Sequence, residues 1–428
     1  MRIVFAALGS LGDLHPMLAL AREAAARRHD PVVASSPVYG DLVRRAGIEF
    51  HPVRPDFPEA PSLLSYYFHP EWGPKRLLRE MVFGRVRETF ADLFAATEGA
   101  DFLVVGELLY VAPMVAARRG ILWANSILAP TSFLSAHDPC VLAPSPLFFP
   151  LRKLGLWPHK LLFAFGKFLT SHWASPLRAF RRELGFPPGG NPIFSDKHSP
   201  HLVLAQFPAF LSPPQPDWPP HVVQTGFPFL AQMGDPESLA RIDAFLADGP
   251  PPVTFTLGST IVHIAENFYQ EAAEAVRILG CRAILLAGGN RIPGLDDPRM
   301  LVVPYAPLDR VFPRSAAVVH QGGIGTCAEA LRAGIPSLII PFGFDQPDNA
   351  ERFRRLGAGL LLTRNRVSAR SLADRLRQLT SSPRFAASAQ ALSHQIASDP
   401  GTSGALDAIE RVAAQPENGT GISRPQIP

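Results

Sequence analysis

The chain has 428 residues, too many for one ordinary core and enough for two domains of roughly 200 residues each. Apolar residues make up 47% and charged residues 18%, which excludes a disordered chain. Its 41 basic and 37 acidic side chains leave a net charge of +4, too weak for a nucleic-acid-binding face but compatible with an anionic small ligand or light contact with a lipid surface.

In chain order, Arg2–Leu8 is a short apolar run ending at Gly9 and reads as a buried parallel strand. Leu14–Arg28 carries apolar residues at helical spacing. Pro31–Ser36 reads as a strand, Tyr39–Ala46 as a helix and Phe50–Val53 as a third strand. Phe102–Val105 and Leu122–Ser126 continue the strands, with the Ala112–Arg119 helix between them. The same alternation restarts after a proline-rich loop, through strands at Val253–Leu257, Ala283–Leu286, Leu301–Val303, Ala317–His320 and Ser337–Ile340. Helices are predicted at Glu266–Leu279, Gly325–Ala333, Leu372–Leu379 and Gly404–Ala414. Such alternation predicts an α/β chain of two doubly wound, Rossmann-like domains facing across a cleft, with ligands at the carboxyl ends of the strands.

The expected divisions are a first domain over 1–226, a linker over 227–250, a second domain over 251–398, a closing helix over 399–415 and a loose tail over 416–428. Three scattered cysteines (Cys140, Cys281, Cys327) suit a reducing cytoplasm, without a disulfide framework or zinc pattern. Neither a signal peptide nor a spanning helix is expected. Leu147–Leu184, rich in Phe, Leu and Trp and dotted with Lys and Arg, fits three roles. It is a helix pair packed on the first domain, an acceptor pocket, or a contact with the inner face of a membrane.

The strongest motif is His320-Gln321-Gly322-Gly323-Ile324-Gly325-Thr326, between a strand and a helix. Glycines there let backbone N–H groups close on an anion, and the helix adds its positive end. A tight strand-to-helix turn alone would also explain them. About twenty residues on, Asp345-Gln346 offers a carboxylate and an amide suited to sugar hydroxyls, or else a helix cap. Upstream, Tyr305-Ala306-Pro307-Leu308 places an aromatic ring and a short loop where a nucleobase can lie; Tyr305 can equally be core.

This combination resembles the donor signature of the family 1 glycosyltransferases, over nearly the whole chain. The resemblance implies a GT-B fold and transfer of a sugar from a nucleotide diphosphate to a hydroxyl, with no cofactor or metal beyond the dTDP- or UDP-sugar substrate. It implies that Ser259, His320, Gly322, Gly323, Gly325 and Thr326 meet the diphosphate, Asp345 and Gln346 the sugar, and Glu329 the ribose, beside Tyr305 and Pro307 of the upstream loop as the other nucleoside candidates. Two further stretches, Ala129–Pro139 and Phe207–Pro219 with Thr225–Pro228, resemble the rhamnosyltransferase branch that makes mono-rhamnolipids. On that likeness the donor is dTDP-rhamnose and the acceptor a hydroxy fatty acid or flavonoid, with UDP-glucose and a sterol, flavonoid or lipid as the runner-up.

Gly9-Ser10-Leu11-Gly12-Asp13-Leu14-His15-Pro16 carries the other half of the chemistry. Asp13 is either a helix cap or a general base facing the cleft. Many relatives place a histidine here, aided by an aspartate on a later strand; that later position falls near Gly106 and Glu107 in this chain. His15 is the rival base. Leu63, Phe68 and Phe148, with Phe133 and His137 of the Ala129–Pro139 stretch, are candidates for the acceptor wall, and each can be ordinary core. Two other classes share the fold: nucleotide-sugar epimerases, and non-catalytic partners that have lost their base.

Overall fold

The computed structural model describes residues 1–58, 60–142, 146–194, 196–231, 234–292 and 297–415. Two sheets, every pairing parallel, organise the chain. The first holds β1 (Arg2–Ala6), β2 (Asp30–Ser35), β3 (Glu49–Pro52), β4 (Phe102–Val105), β5 (Leu122–Ile127), β6 (Leu202–Ala205) and β7 (Val222–Gln224), in spatial order β3-β2-β1-β4-β5-β6-β7. The second holds β8 (Val253–Thr256), β9 (Ala283–Leu286), β10 (Met300–Val303), β11 (Ala317–His320), β12 (Ser337–Ile339) and β13 (Gly359–Leu361), in order β10-β9-β8-β11-β12-β13. The two doubly wound α/β domains expected from the sequence are therefore present.

The strand residues explain the layers. Central strands such as β4 and β8 are buried throughout, because helices cover each side of a parallel sheet. In each sheet the order reverses direction at one place, between β1 and β4 in the first and between β8 and β11 in the second. A crevice opens at such a reversal, beyond the carboxyl ends of the strands. The loops after β1, β4, β8 and β11 are thus the ones placed to build a site.

Several elements differ from the sequence expectation. The first helix runs Leu11–Ala26, so it begins three residues before Leu14, and Ser10 rather than Asp13 is its N-cap. Residues expected as linker contain the helix Pro236–Ala247, whose Ile242 and Leu246 pack on Ile284 and Leu286 of the second domain. The helix Gly401–Ala413 crosses back to the first domain. Its Ala405, Leu406, Ala408 and Ile409 enter the core formed by Leu14, Leu18, Ala21 and Val33. Arg27 fixes it by ion pairs to Asp407 (2.6 Å) and Glu410 (3.1 Å). The tail expected over 416–428 lies outside the described residues. Among the described residues no helix is long and apolar enough to cross a membrane.

Candidate active site

A cavity of about 850 Å³ lies between the two domains, at the upper end of the range for small-molecule sites. The first domain lines it with Gly9–Asp13, His15, Glu107, Ser132, Lys197 and an apolar wall that includes Phe57, Phe68, Leu78, Met81 and Tyr110. The second domain contributes Gly258–Thr260, Tyr305, Gln321, Gly323–Thr326, Glu329 and Phe344–Gln346. All four switch-point loops meet there.

Asp13 sits in the first turn of its helix. Its Oδ2 accepts from the Ser10 N–H at 2.8 Å and the Ser10 hydroxyl at 3.3 Å. A Cβ at position 9 would collide with that same oxygen, and Gly9 has a φ of +132°. Only glycine fits where the loop passes so close to the carboxylate. Burial pushes the Asp13 carboxyl up to about 7, with the charges of Glu107 and Asp345 adding to the rise and the Ser10 N–H opposing it. A carboxyl poised there is half ionised near neutrality, which suits a general base. Burial drives His15 the other way, down to about 4, so its imidazole is neutral at pH 7.

Beside Asp13, Glu107 accepts a short hydrogen bond from the Ser132 hydroxyl. Burial raises its carboxyl, partly offset by Lys197, whose Nζ donates to the Ser132 carbonyl at 2.6 Å. Sequence reasoning noted Glu107 only as a neighbour of Gly106 and missed Lys197, which lies in an irregular segment without periodicity to mark it.

Across the cavity, Gly323 caps the helix Ile324–Arg332 without any side-chain cap, leaving its first N–H groups to the cavity. A Cβ at Gly325 would meet nothing within 4 Å, so the glycine leaves open space in front of that helix end. Gly322 has a φ of +90°, and a Cβ there would strike Ile339 at 2.7 Å. Gln321, given no role of its own in the sequence motif, also lines the cavity. These features together form a cradle for an anion.

Asp345 and Gln346 hold distinct bonds. Asp345 occupies the N-cap of the helix Gln346–Leu356 but makes no capping bond; its Oδ2 accepts from Asn349 Nδ2 at 2.7 Å. Burial lifts its carboxyl to about 6. Gln346 Oε1 accepts from the N–H of Phe342 (2.8 Å) and of Gly343 (3.2 Å), tying the loop in place. Glu329 pairs with Arg332 at 2.5 Å, and burial still lifts its carboxyl to about 7.

The cavity thus gathers Asp13, His15, Phe68, Ser259, Tyr305, Gly323, Gly325, Thr326, Glu329, Asp345 and Gln346 from the sequence candidates. It does not include the others. His320 is fully buried behind the glycine loop, where its Nδ1 accepts the Gly322 N–H at 3.1 Å, and burial lowers it to about 3. Gly322 is packed against Ile339. Pro307 is buried at the cap of the short helix Leu308–Val311. Phe133 stacks on Trp218 with ring centres 4.3 Å apart, inside the core. His137, Leu63 and Phe148 are exposed and outside the cavity wall.

The stretches singled out in the middle of the sequence interlock. Asp217 accepts from the Ser135 hydroxyl (2.6 Å) and the Ala136 N–H (2.7 Å), and Asp138 accepts from Ser212 (2.6 Å). Arg352 of the second domain, only 2% exposed, pairs with Asp138 at 2.7 Å and Asp348 at 2.6 Å and donates to the Leu211 carbonyl. They brace the helix that begins at Gln346. Among the described residues no group of three or more His, Cys, Asp or Glu is arranged to hold a metal ion.

Residues 291–411 match the family described as erythromycin biosynthesis protein CIII-like, C-terminal domain. The chain is 31% identical over 441 aligned positions to O-mycaminosyltylonolide 6-deoxyallosyltransferase of Streptomyces fradiae, covering 96% of this chain and 98% of that one. Spinosyn forosaminyltransferase superposes with a TM-score of 0.72 at 20% identity, over 97% of this chain and 100% of that one. Spinosyn rhamnosyltransferase in complex with thymidine diphosphate gives 0.67 at 19%, over 96% and 100%. This protein belongs to the family 1 glycosyltransferases of GT-B fold, and it is a nucleotide-sugar-dependent glycosyltransferase.

Proposed function

We propose that the enzyme moves L-rhamnose from dTDP-rhamnose to a hydroxyl of an apolar acceptor, such as a hydroxy fatty acid or a flavonoid, with inversion at the anomeric carbon. The observation that carries it is the opposition of Asp13 and the open helix end at Gly323–Thr326 across one cavity. Asp13 takes the proton of the acceptor hydroxyl. The oxygen attacks the anomeric carbon as its bond to the diphosphate breaks, and the leaving charge settles on the helix N–H groups. A charge developing against preorganised dipoles needs no reorganisation at the moment of reaction. Asp345 and the amide nitrogen of Gln346 hold sugar hydroxyls, and Tyr305, Ala306 and Glu329 take the nucleoside.

The deoxysugar is supported by the relative from Streptomyces fradiae, named for transfer of a 6-deoxyhexose, and by the resemblance of the Ala129–Pro139 and Phe207–Pro219 stretches to the rhamnosyltransferase of mono-rhamnolipid synthesis. The thymidine diphosphate seen with spinosyn rhamnosyltransferase supports the dTDP half. The apolar wall of Phe57, Phe68, Leu78 and Met81 supports an acceptor with a large hydrocarbon part. The test offers purified protein dTDP-rhamnose and UDP-glucose, each with a hydroxy fatty acid dimer and with a flavonol, in the presence of EDTA. Transfer from dTDP-rhamnose at full rate is expected, with inverted anomeric configuration by NMR. Consumption of UDP-glucose alone would defeat the choice of sugar, and activity only with added metal would defeat the mechanism.

A further inference from the structure

From Pro146 to Arg182 the chain carries seven Lys and Arg and not one Asp or Glu. Within this stretch the helix Trp157–Thr170 is apolar over most of its circumference. Its Pro158 and His159 are buried, yet Trp157, Leu161, Phe165 and Phe168 stand 63%, 64%, 57% and 75% exposed. Residues spaced four, four and three apart lie on one face of a helix, so these four form a single stripe. Lys160 and Lys167 run along one edge of it. Leu147, 88% exposed, and Leu154 extend the apolar surface into the preceding turn, next to Lys153. Among the described residues none of these three lysines makes an ion pair.

We propose that this face docks on an anionic lipid bilayer, with the stripe sunk among the acyl chains near the headgroups and the lysines on the headgroup phosphates. An exposed apolar stripe edged by cations is the pattern of a helix lying in a membrane interface. Charge decides against a second copy of the protein as the occupant, because symmetric pairing would bring basic residues against basic residues with no acid among them. The face also adjoins the cavity. Asn191 Nδ2 donates to the Lys167 carbonyl at 2.8 Å, Phe194 lies against Gly166, and Ile193 between them lines the cavity. An apolar acceptor held in the bilayer then reaches the cavity wall without crossing water, a corollary that rests on the acceptor reading above.

The test is sedimentation of the full chain, without donor, with phosphatidylglycerol–phosphatidylcholine vesicles and with phosphatidylcholine alone, at low and high salt. Binding to the anionic vesicles is expected, falling with salt. Lys160→Gln and Lys167→Gln should each weaken it about fivefold. The combined change Leu161→Ser, Phe165→Ser and Phe168→Ser should abolish it while leaving the melting temperature and nucleotide binding intact, since these side chains are exposed. Absence of binding, equal binding to neutral vesicles, or an unaffected triple variant would overturn the proposal. So would a dimer in sedimentation velocity that the triple variant dissolves while vesicles stay unbound. Transfer to a water-soluble acceptor without vesicles is measured separately, so either idea can fail alone.

Discussion

Asp13 and His15 stand two residues apart on one helix turn, and their environments push them in opposite directions. This gives a means of telling them apart. With Asp13 as base, kcat/KM falls on the acid side with an apparent pKa about 7; with His15, the fall comes near about 4. Asp13→Asn is expected to lower turnover about 10²–10⁴-fold with nucleotide affinity preserved, as isothermal titration would record. A non-catalytic partner would lose nothing. The same carboxyl affects stability. Its folded pKa is raised above the unfolded value of 3.8, so the protonated form favours the fold and that contribution disappears as pH rises through about 7. Melting curves should therefore show Asp13→Asn gaining on the wild type between pH about 4 and pH about 8, with no advantage at the acid end. From sequence, the Gly9–Asp13 turn was legible because glycine and aspartate after a strand have few uses. The hydrogen bonds from Ser10 were not, because the first helix starts a turn earlier than its apolar periodicity does.

Among elements, the helices Ile324–Arg332 and Gln346–Leu356 carry the second domain's side of the cavity, and they are held by different means. The first presents an uncapped end, and Gly325 keeps the space before it clear. Gly325→Ala should leave the melting temperature unchanged or slightly higher, since alanine favours a helix. The nucleotide-sugar KM should rise between about tenfold and a hundredfold, the equivalent of losing one hydrogen bond to a charged group. The second helix is braced by the buried Asp138–Arg352–Asp348 group. Arg352→Ala removes the one cation between two carboxylates and should cost about 3–5 kcal/mol in urea unfolding. The strands of both sheet centres could be read from sequence since each is a short apolar run between turn residues. β6, β7 and β13 escaped notice: β7 and β13 are three residues long, and β6 sits in a polar, proline-rich setting. The stretches Ala129–Pro139 and Phe207–Pro219 stood out as distinctive, but only coordinates show that they grip each other and the second domain.

For the whole molecule, the closing helix Gly401–Ala413 belongs to the first domain's core although it follows the second in sequence. Truncation after Pro400 would expose the surface that Leu406 and Ile409 cover, each worth about 1.5–3 kcal/mol of burial. The truncated chain should lose several kcal/mol in denaturant titration, with the loss falling on the first domain's transition. No local pattern assigns a terminal amphipathic helix to one of two equally apolar partners, which is why its place in space was not legible in the sequence.

That return has a mechanical outcome. The segment Thr225–Phe227, shortly before the chain leaves the first lobe, touches Asp399–Gly401, where it returns: the Gly401 N–H donates to the Thr225 carbonyl at 2.7 Å. Gly226, with a φ of +79°, admits Asp399 where any Cβ would stand 2.5 Å from it. Two segments tied this closely leave one lobe little room to slide or twist against the other at that point, and the buried Arg352–Asp138 pair fastens the same two lobes a second time.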